Sequence, residues 1–214
     1  MSKLTLGELH RIIQGTDYEF EKTQDDTLYL WKSGTMIQNE GTIWIGQLPS
    51  LEELTSAMKH MDDIPVQHII QFRGPYRWLS NFAGCRINYG DPIPDWSVVK
   101  YTCVENAYQS AKSDDPEWRE FCRENTPGVV KRASRKIKIH PNWDDMKVNV
   151  MKVLLMQKFS QEPYRTLLLE TGNLDIVEGN TWGDKFWGVC LETNEGQNRL
   201  GRLIMDIRSF LKKQ

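Results

Sequence analysis

The chain has 214 residues, of which 39% are hydrophobic and 26% charged, with a formal net charge of -2. This is a globular balance, sufficient for one substantial domain plus a small appendage, and it excludes a disordered or membrane-spanning class. The near-neutral charge also excludes broad, sequence-independent wrapping of nucleic acid, which needs a positive field over most of one face, but it leaves room for a local basic pocket.

The first residues, MSKLTLGELHR, turn polar too early for a signal peptide, so a cytoplasmic location without membrane association is expected. Helical spacing of Leu4, Leu6, Leu9, Ile12 and Ile13 predicts a first helix ending at Gly15. Apolar runs at 27–31 and 42–45, separated by a stretch with Gly34 and Gly41, predict a hairpin. Leu51, Leu54, Met58 and Met61 predict a second helix capped by Ser50. Residues 1–66 thus read as an accessory unit for packing, self-association or protein contacts, with a boundary at 62–65.

The second region, 67–214, opens with an expected strand at 67–72, a turn at 88–94 and a strand at 98–102. Helical periodicity follows at 104–112, 117–123, 129–135, 143–160, 163–170 and 198–212, with Gly172 as a stop signal. Strands and helices mix without regular alternation, so the expected class is α+β and mostly helical. Cys85, Cys103, Cys122 and Cys190 show no CxxC spacing, and thiols are expected rather than disulfides or a metal site. Most of the eight tryptophans read as core, with a subset suited to stacking on a purine-like face.

Two segments carry candidate chemistry. In VENAYQSAK, residues 104–112, Glu105, Gln109 and Lys112 fall at i, i+4 and i+7 and share one helix face. The plain reading is a solvated face. Because the preceding strand is expected to be buried, the same stripe would put a carboxyl suited to acid or base work beside an amine suited to nucleophilic or electrostatic work. In NTWGDKFWGV, residues 180–189, Asp184 lies among aromatic residues, where an unpaired buried carboxylate is costly, and Gly183 and Gly188 permit close approach. Asn198 reads as the N-cap of the last helix, whose free amides also suit a phosphate.

Several ordered blocks resemble the NADAR superfamily, with its YbiA-like N-glycosidases: LSNF (79–82), VENAYQSAK, the segment around Arg135, Trp143 opening a long helix that reaches Met151 and Lys158–Phe159, LLLETG (167–172), WGDKFWG, and GQNRLGRLIMDIR. The resemblance spans about residues 72–208 and implies an α+β enzyme without cofactor or metal, hydrolysing a bond between ribose C1 and an amine nitrogen of a guanine-like base. It implies Glu105, Lys112 and Asp184 as catalytic residues. Asn81, Gln109, Trp143, Trp187, Arg73, Arg135 and Asn198 are the implied substrate contacts. Lys112 would trap a ring-opened sugar as a Schiff base, or a carboxylate would activate water against an oxocarbenium-like ribose. Ser134 stands where the family often has glycine, and Val189 and Cys190 replace a glycine-rich continuation, which bears on substrate identity.

Two substrates fit the resemblance: ADP-ribose on guanine in DNA or RNA, and the phosphoribosylamino pyrimidines of early riboflavin synthesis. The accessory unit and the basic run KRASRKIK (131–138) tilt the expectation toward ADP-ribose removal, although such a run is commonly solvated surface. A non-catalytic ADP-ribose or nucleotide-binding module is the alternative of another class, and a structural protein with a tryptophan-rich core is a third.

Overall fold

The computed structural model describes residues 2–22, 27–32, 42–45, 47–63, 68–89 and 100–214. The turn containing Gly34 and Gly41, residues 64–65 of the expected boundary, Gln67, the greater part of the 88–94 turn, and Val98 and Val99 lie outside the described residues. The architecture is α+β with short strands. Contacts divide the chain into two units, residues 1–77 with 173–201, and residues 78–172 with 202–214.

In the first unit, helix α1 (Leu6–Ile13) is closed by a capping box, in which Thr5 accepts from the Glu8 amide and the Glu8 carboxylate accepts from the Thr5 amide. Helix α2 (Leu51–Asp63) repeats the device with Ser50 and Glu53. Strands β1 (Tyr18–Lys22), β2 (Thr27–Lys32) and β3 (Thr42–Ile45) form an antiparallel sheet in that order. The expected β2–β3 pairing is present. Strand β1 was missing from the sequence reading, yet its Tyr18-Glu-Phe20-Glu alternation is a strand signal, and Tyr18 is buried. Leu9, Ile13, Tyr18, Leu28, Leu30, Leu54, Ala57 and Met61 make a core of their own.

The rest of the first unit is built from strands of two residues. Strand β4 (His68–Ile69) pairs in parallel with β7 (Asp175–Ile176). Strands β8 (Gly179–Asn180), β9 (Val189–Cys190) and β10 (Glu195–Gly196) form a second small sheet. Elements this short leave no periodicity to read.

In the second unit, strands β5 (Gly84–Ile87) and β6 (Tyr101–Cys103) pair antiparallel, and β6 runs directly into helix α3 (Val104–Ser110). Cys103 caps α3 through its sulfur, which accepts from the Asn106 amide. Helix α3 packs against α4 (Pro116–Glu124), α5 (Pro127–Ala133) and α6 (Trp143–Phe159). Helix α7 (Tyr164–Glu170) and most of α8 (Arg199–Leu211) complete the unit. Proline at the first position sets the starts of α4 and α5.

All seven residues of α3 are buried, so its polar side chains must be satisfied inside the protein. Asn106 donates to the carbonyls of Cys122 and Asn125, tying down the end of α4. Ser110 donates to the Tyr101 hydroxyl, and the Trp118 indole to the Gln109 carbonyl. The four cysteines are free thiols. Burial pushes Cys85 up to about 11 and Cys122 up to about 12, which keeps them inert.

Asn106→Ala leaves two carbonyls without their donor and should cost about 1–3 kcal/mol of unfolding free energy by urea denaturation. Thr5→Ala removes one cap of α1 and should cost about 0.5–2 kcal/mol in the same measurement.

Candidate active site

The residues of the VENAYQSAK stripe do not form a solvated face. Glu105 is 5% exposed and Gln109 3%, while Lys112, just beyond the end of α3, is half-buried. Gln109 Nε2 donates to Glu105 Oε1 at 2.8 Å, the i, i+4 partnership that the helix geometry allows. Glu105 also enters the loop before β5, since its backbone amide donates to the Asn81 carbonyl at 3.0 Å. The Asn81 side chain, 9% exposed, donates to the Met151 sulfur at 3.5 Å. Two buried acceptors, Asn81 Oδ1 and Gln109 Oε1, receive no hydrogen bond. Such atoms cost free energy unless a ligand or water supplies a donor.

Two amines interact with the carboxylate. Burial pushes the Lys112 amine below its ordinary value; Glu105 opposes that shift, while the charges of Lys131 and Lys147 reinforce it. Lys112 Nζ lies 5.6 Å from the centre of the Tyr108 ring. Lys131, on α5, brings Nζ to 3.9 Å from Glu105 Oε1 and 5.4 Å from the centre of the Phe82 ring. Lys131 is not among the expected site residues: it sits in the basic run 131–138, and nothing in that run separates it from its solvated neighbours.

In the sequence, Lys158 stands out only as part of the family resemblance. It is fully buried, and its ammonium donates to the carbonyls of Leu79 at 3.2 Å and Ser80 at 2.7 Å. A buried cation therefore pins the two residues before Asn81. The signal was a lysine in the apolar row of α6, with Leu154, Leu155 and Phe159.

The remaining predicted residues fall as follows. Trp143 is 7% exposed, its ring tilted against Tyr108 at 5.1 Å, so it is core at the foot of α3. Arg135 is exposed in a 3-10 turn (Ser134–Lys136). These two belong to the second unit with Asn81, Glu105, Gln109 and Lys112, whereas Arg73, Asp184, Trp187 and Asn198 belong to the first. Arg73 is exposed.

Asp184 is partly buried and not unpaired: its Oδ1 accepts from the amides of Phe186 at 3.0 Å and Trp187 at 2.9 Å. Its own amide donates to Asn180 Oδ1, and its carbonyl accepts from Asn180 Nδ2. The WGDKFWG block is thus knitted by an Asp and an Asn acting on the backbone. Gly188 serves packing, since a Cβ there would meet the Glu178 carbonyl at 2.1 Å.

Asn198 differs from the expected helix cap. Its Oδ1 accepts from the Glu178 amide at 3.0 Å and its Nδ2 donates to the Ile176 carbonyl at 2.9 Å, both outside α8. A left-handed backbone, φ 46°, turns the side chain toward that strand end, a conformation asparagine tolerates better than most residues. Gly201 follows from the same packing, because a Cβ would meet the Ile176 carbonyl at 2.1 Å.

Among the described residues no group of three or more His, Cys, Asp or Glu side chains gathers to hold a metal ion, and no helix is long and apolar enough to cross a membrane.

The NADAR domain family model matches residues 70–212. The chain is similar to N-glycosidase YbiA of Escherichia coli (strain K12), with 31% identity over 156 residues, covering 68% of this chain and 93% of that protein. The YbiA of Shigella flexneri is 36% identical over 158 residues, with the same coverage. Similarity extends to the riboflavin biosynthesis protein PYRR, chloroplastic, of Zea mays, at 31% identity over 179 residues, 76% of this chain and 28% of that one. The NMR structure of the E. coli protein YbiA superposes with a TM-score of 0.57 over 69% of this chain and 89% of that chain, at 31% identity. A buried acid-amide-amine stripe on the fold of an N-glycosidase, matched over two thirds of the chain, places this protein in the NADAR domain family as an N-glycosyl hydrolase.

Proposed function

We propose that the chain hydrolyses the bond between ribose C1 and an amine nitrogen of a guanine-derived ring, with a phosphoribosylamino pyrimidine as substrate. The observation that carries the reaction is the Glu105 carboxylate, buried on α3, bonded to Gln109 and in electrostatic interaction with the Lys112 amine. Support for the pyrimidine comes from the maize relative, whose name is that of a riboflavin biosynthesis protein. The exposed basic residues after Lys131 favour a second reading, removal of ADP-ribose from guanine in a nucleic acid, because they suit a polyanion.

Glu105 protonates the departing amine nitrogen, and its carboxylate then activates water or stabilises positive charge at C1. Lys112 offers the covalent route. An aminal opens to an imine, the Lys112 amine adds at C1, the ring amine departs with a proton from Glu105, and water releases the sugar from the Schiff base. A nucleophilic amine must be unprotonated, and burial of Lys112 favours that form at lower pH than for a solvated lysine. The proposed contacts are Asn81 and Gln109 to sugar hydroxyls or ring N–H groups, through their unfilled oxygens.

Incubating the protein in parallel with the phosphoribosylamino pyrimidine and an ADP-ribosylated guanine oligonucleotide, with mass spectrometry of the products, tests the reading. Release of the free pyrimidine amine is expected, and turnover of neither compound overturns the reaction. Glu105→Gln keeps the hydrogen bond to Gln109 but removes the carboxylate, and should lower kcat/KM by about 10²–10⁴-fold. In the covalent route the wild-type rate climbs as Lys112 loses its proton, below the pH range of an ordinary lysine, and Lys112→Arg abolishes both the climb and the turnover. Substantial activity in Lys112→Arg leaves direct water attack. Asp184→Asn keeps the Oδ1 acceptor for the two loop amides; a folded but inactive variant would give Asp184 a chemical role, and an active one a structural role.

A further inference from the structure

Lys131 contacts two groups and donates a hydrogen bond to neither. At 3.9 Å its ammonium is beyond hydrogen-bond reach of Glu105, and its side chain is about half exposed, so the pair adds little to folding. Its other neighbour is the ring of Phe82, itself 40% exposed. Among the described residues, neither Lys131 Nζ, 3.9 Å from Glu105, nor Lys112 Nζ, over the Tyr108 ring, donates a hydrogen bond. Lys131 puts a positive charge 3.9 Å from the Glu105 carboxylate, and Lys112 also interacts with that carboxylate. Gln109, bonded to Glu105, and Asn81, whose carbonyl accepts the Glu105 amide, are both at least nine-tenths buried, and the side-chain oxygen of each lacks a donor. Unfilled acceptors call for N–H or O–H groups, and unfilled ammonium donors for an anion. One ligand class supplies both: a sugar with hydroxyls and a phosphate ester.

We propose that Lys131 is the specificity-determining residue of this site, binding the phosphate of the ribosyl unit beside Glu105 and so setting a preference for phosphorylated over unphosphorylated glycosides. The sugar's identity rests on the N-ribosyl hydrolase reading above; the anion site rests on the geometry. Lysine binds phosphate as a compact charge with three rotatable donors, so it tolerates the offset between the Glu105 contact and a ligand beyond it. The Phe82 ring under the ammonium is an apolar neighbour that takes up none of its three donors.

Two measurements separate this role from a merely electrostatic one. Calorimetric titration of wild type, Lys131→Gln and Lys131→Arg with ribose 5-phosphate and with ribose reads the anion site without turnover. The wild type should prefer ribose 5-phosphate, Lys131→Gln should lose about tenfold of that affinity with ribose unaffected, and Lys131→Arg should retain most of it. On the phosphoribosylamino pyrimidine, Lys131→Gln should raise KM by a similar factor with kcat within about twofold, and the dephosphorylated substrate should show no change. An equal loss for both sugars, or a fall in kcat on both substrates at constant KM, would mean that Lys131 acts through Glu105 and overturns the proposal. A wild type that does not distinguish the two sugars overturns it as well. Selective loss of ribose 5-phosphate binding without turnover of either substrate would sink the hydrolase substrate assignment and leave the anion site standing.

Discussion

The second unit depends on one costly placement, a carboxylate on a helix with no solvated face. Every residue of α3 is buried, and Glu105 sits in its first turn. Removing a carboxylate from water is unfavourable unless it finds charge and hydrogen-bond partners, and such pairs rarely repay that cost in stability. Here the partners are one amide donor at 2.8 Å and an ammonium at 3.9 Å. This is a loose arrangement for a structural ion pair, and it is compatible with the acid-base role proposed for Glu105.

The surroundings hold that carboxylate still. The Cys103 cap, the Asn106 bonds to the end of α4, the Ser110–Tyr101 hydroxyl pair and the Trp118 indole fix α3 on several sides. Lys158 grips the carbonyls of Leu79 and Ser80, and Asn81, next in the chain, accepts the Glu105 amide. Rigid support from below, with unfilled polar atoms left at Asn81 and Gln109, is the pattern expected of a preorganised site. In the first unit the same economy appears in the loop from Asn180 to Asn198, where side-chain amides and a carboxylate replace sheet hydrogen bonds across strands of two residues. The family motifs of that loop therefore have a folding role that is complete in itself, whatever chemistry Asp184 adds.

The helices were legible in the sequence because 3.6-residue periodicity and single cap or stop residues such as Ser50 and Gly172 are local signals, and their observed ends differ from the expected ones by a few residues. Strand β1 was readable but passed over, and the two-residue strands β7 to β10 were not readable, since their pairing is set by distant chain segments. The stripe of Glu105, Gln109 and Lys112 was visible as helical spacing. Its burial was not, because spacing says which side chains share a face and nothing about what covers that face.

The sequence by itself determined the fold class, the family, and the acid, amide and amine on one helix face. These follow from local periodicity and from ordered motifs that need no knowledge of neighbours. Tertiary structure alone decided that this face is interior, that Lys131 leaves its basic run to stand beside Glu105, that Lys158 is a buried clamp, and that Asn198 serves the end of β7 rather than the start of α8. Each of these is a contact between residues far apart in the chain or on different elements. Burial and charge pairing are properties of the packed assembly, and no single segment encodes them.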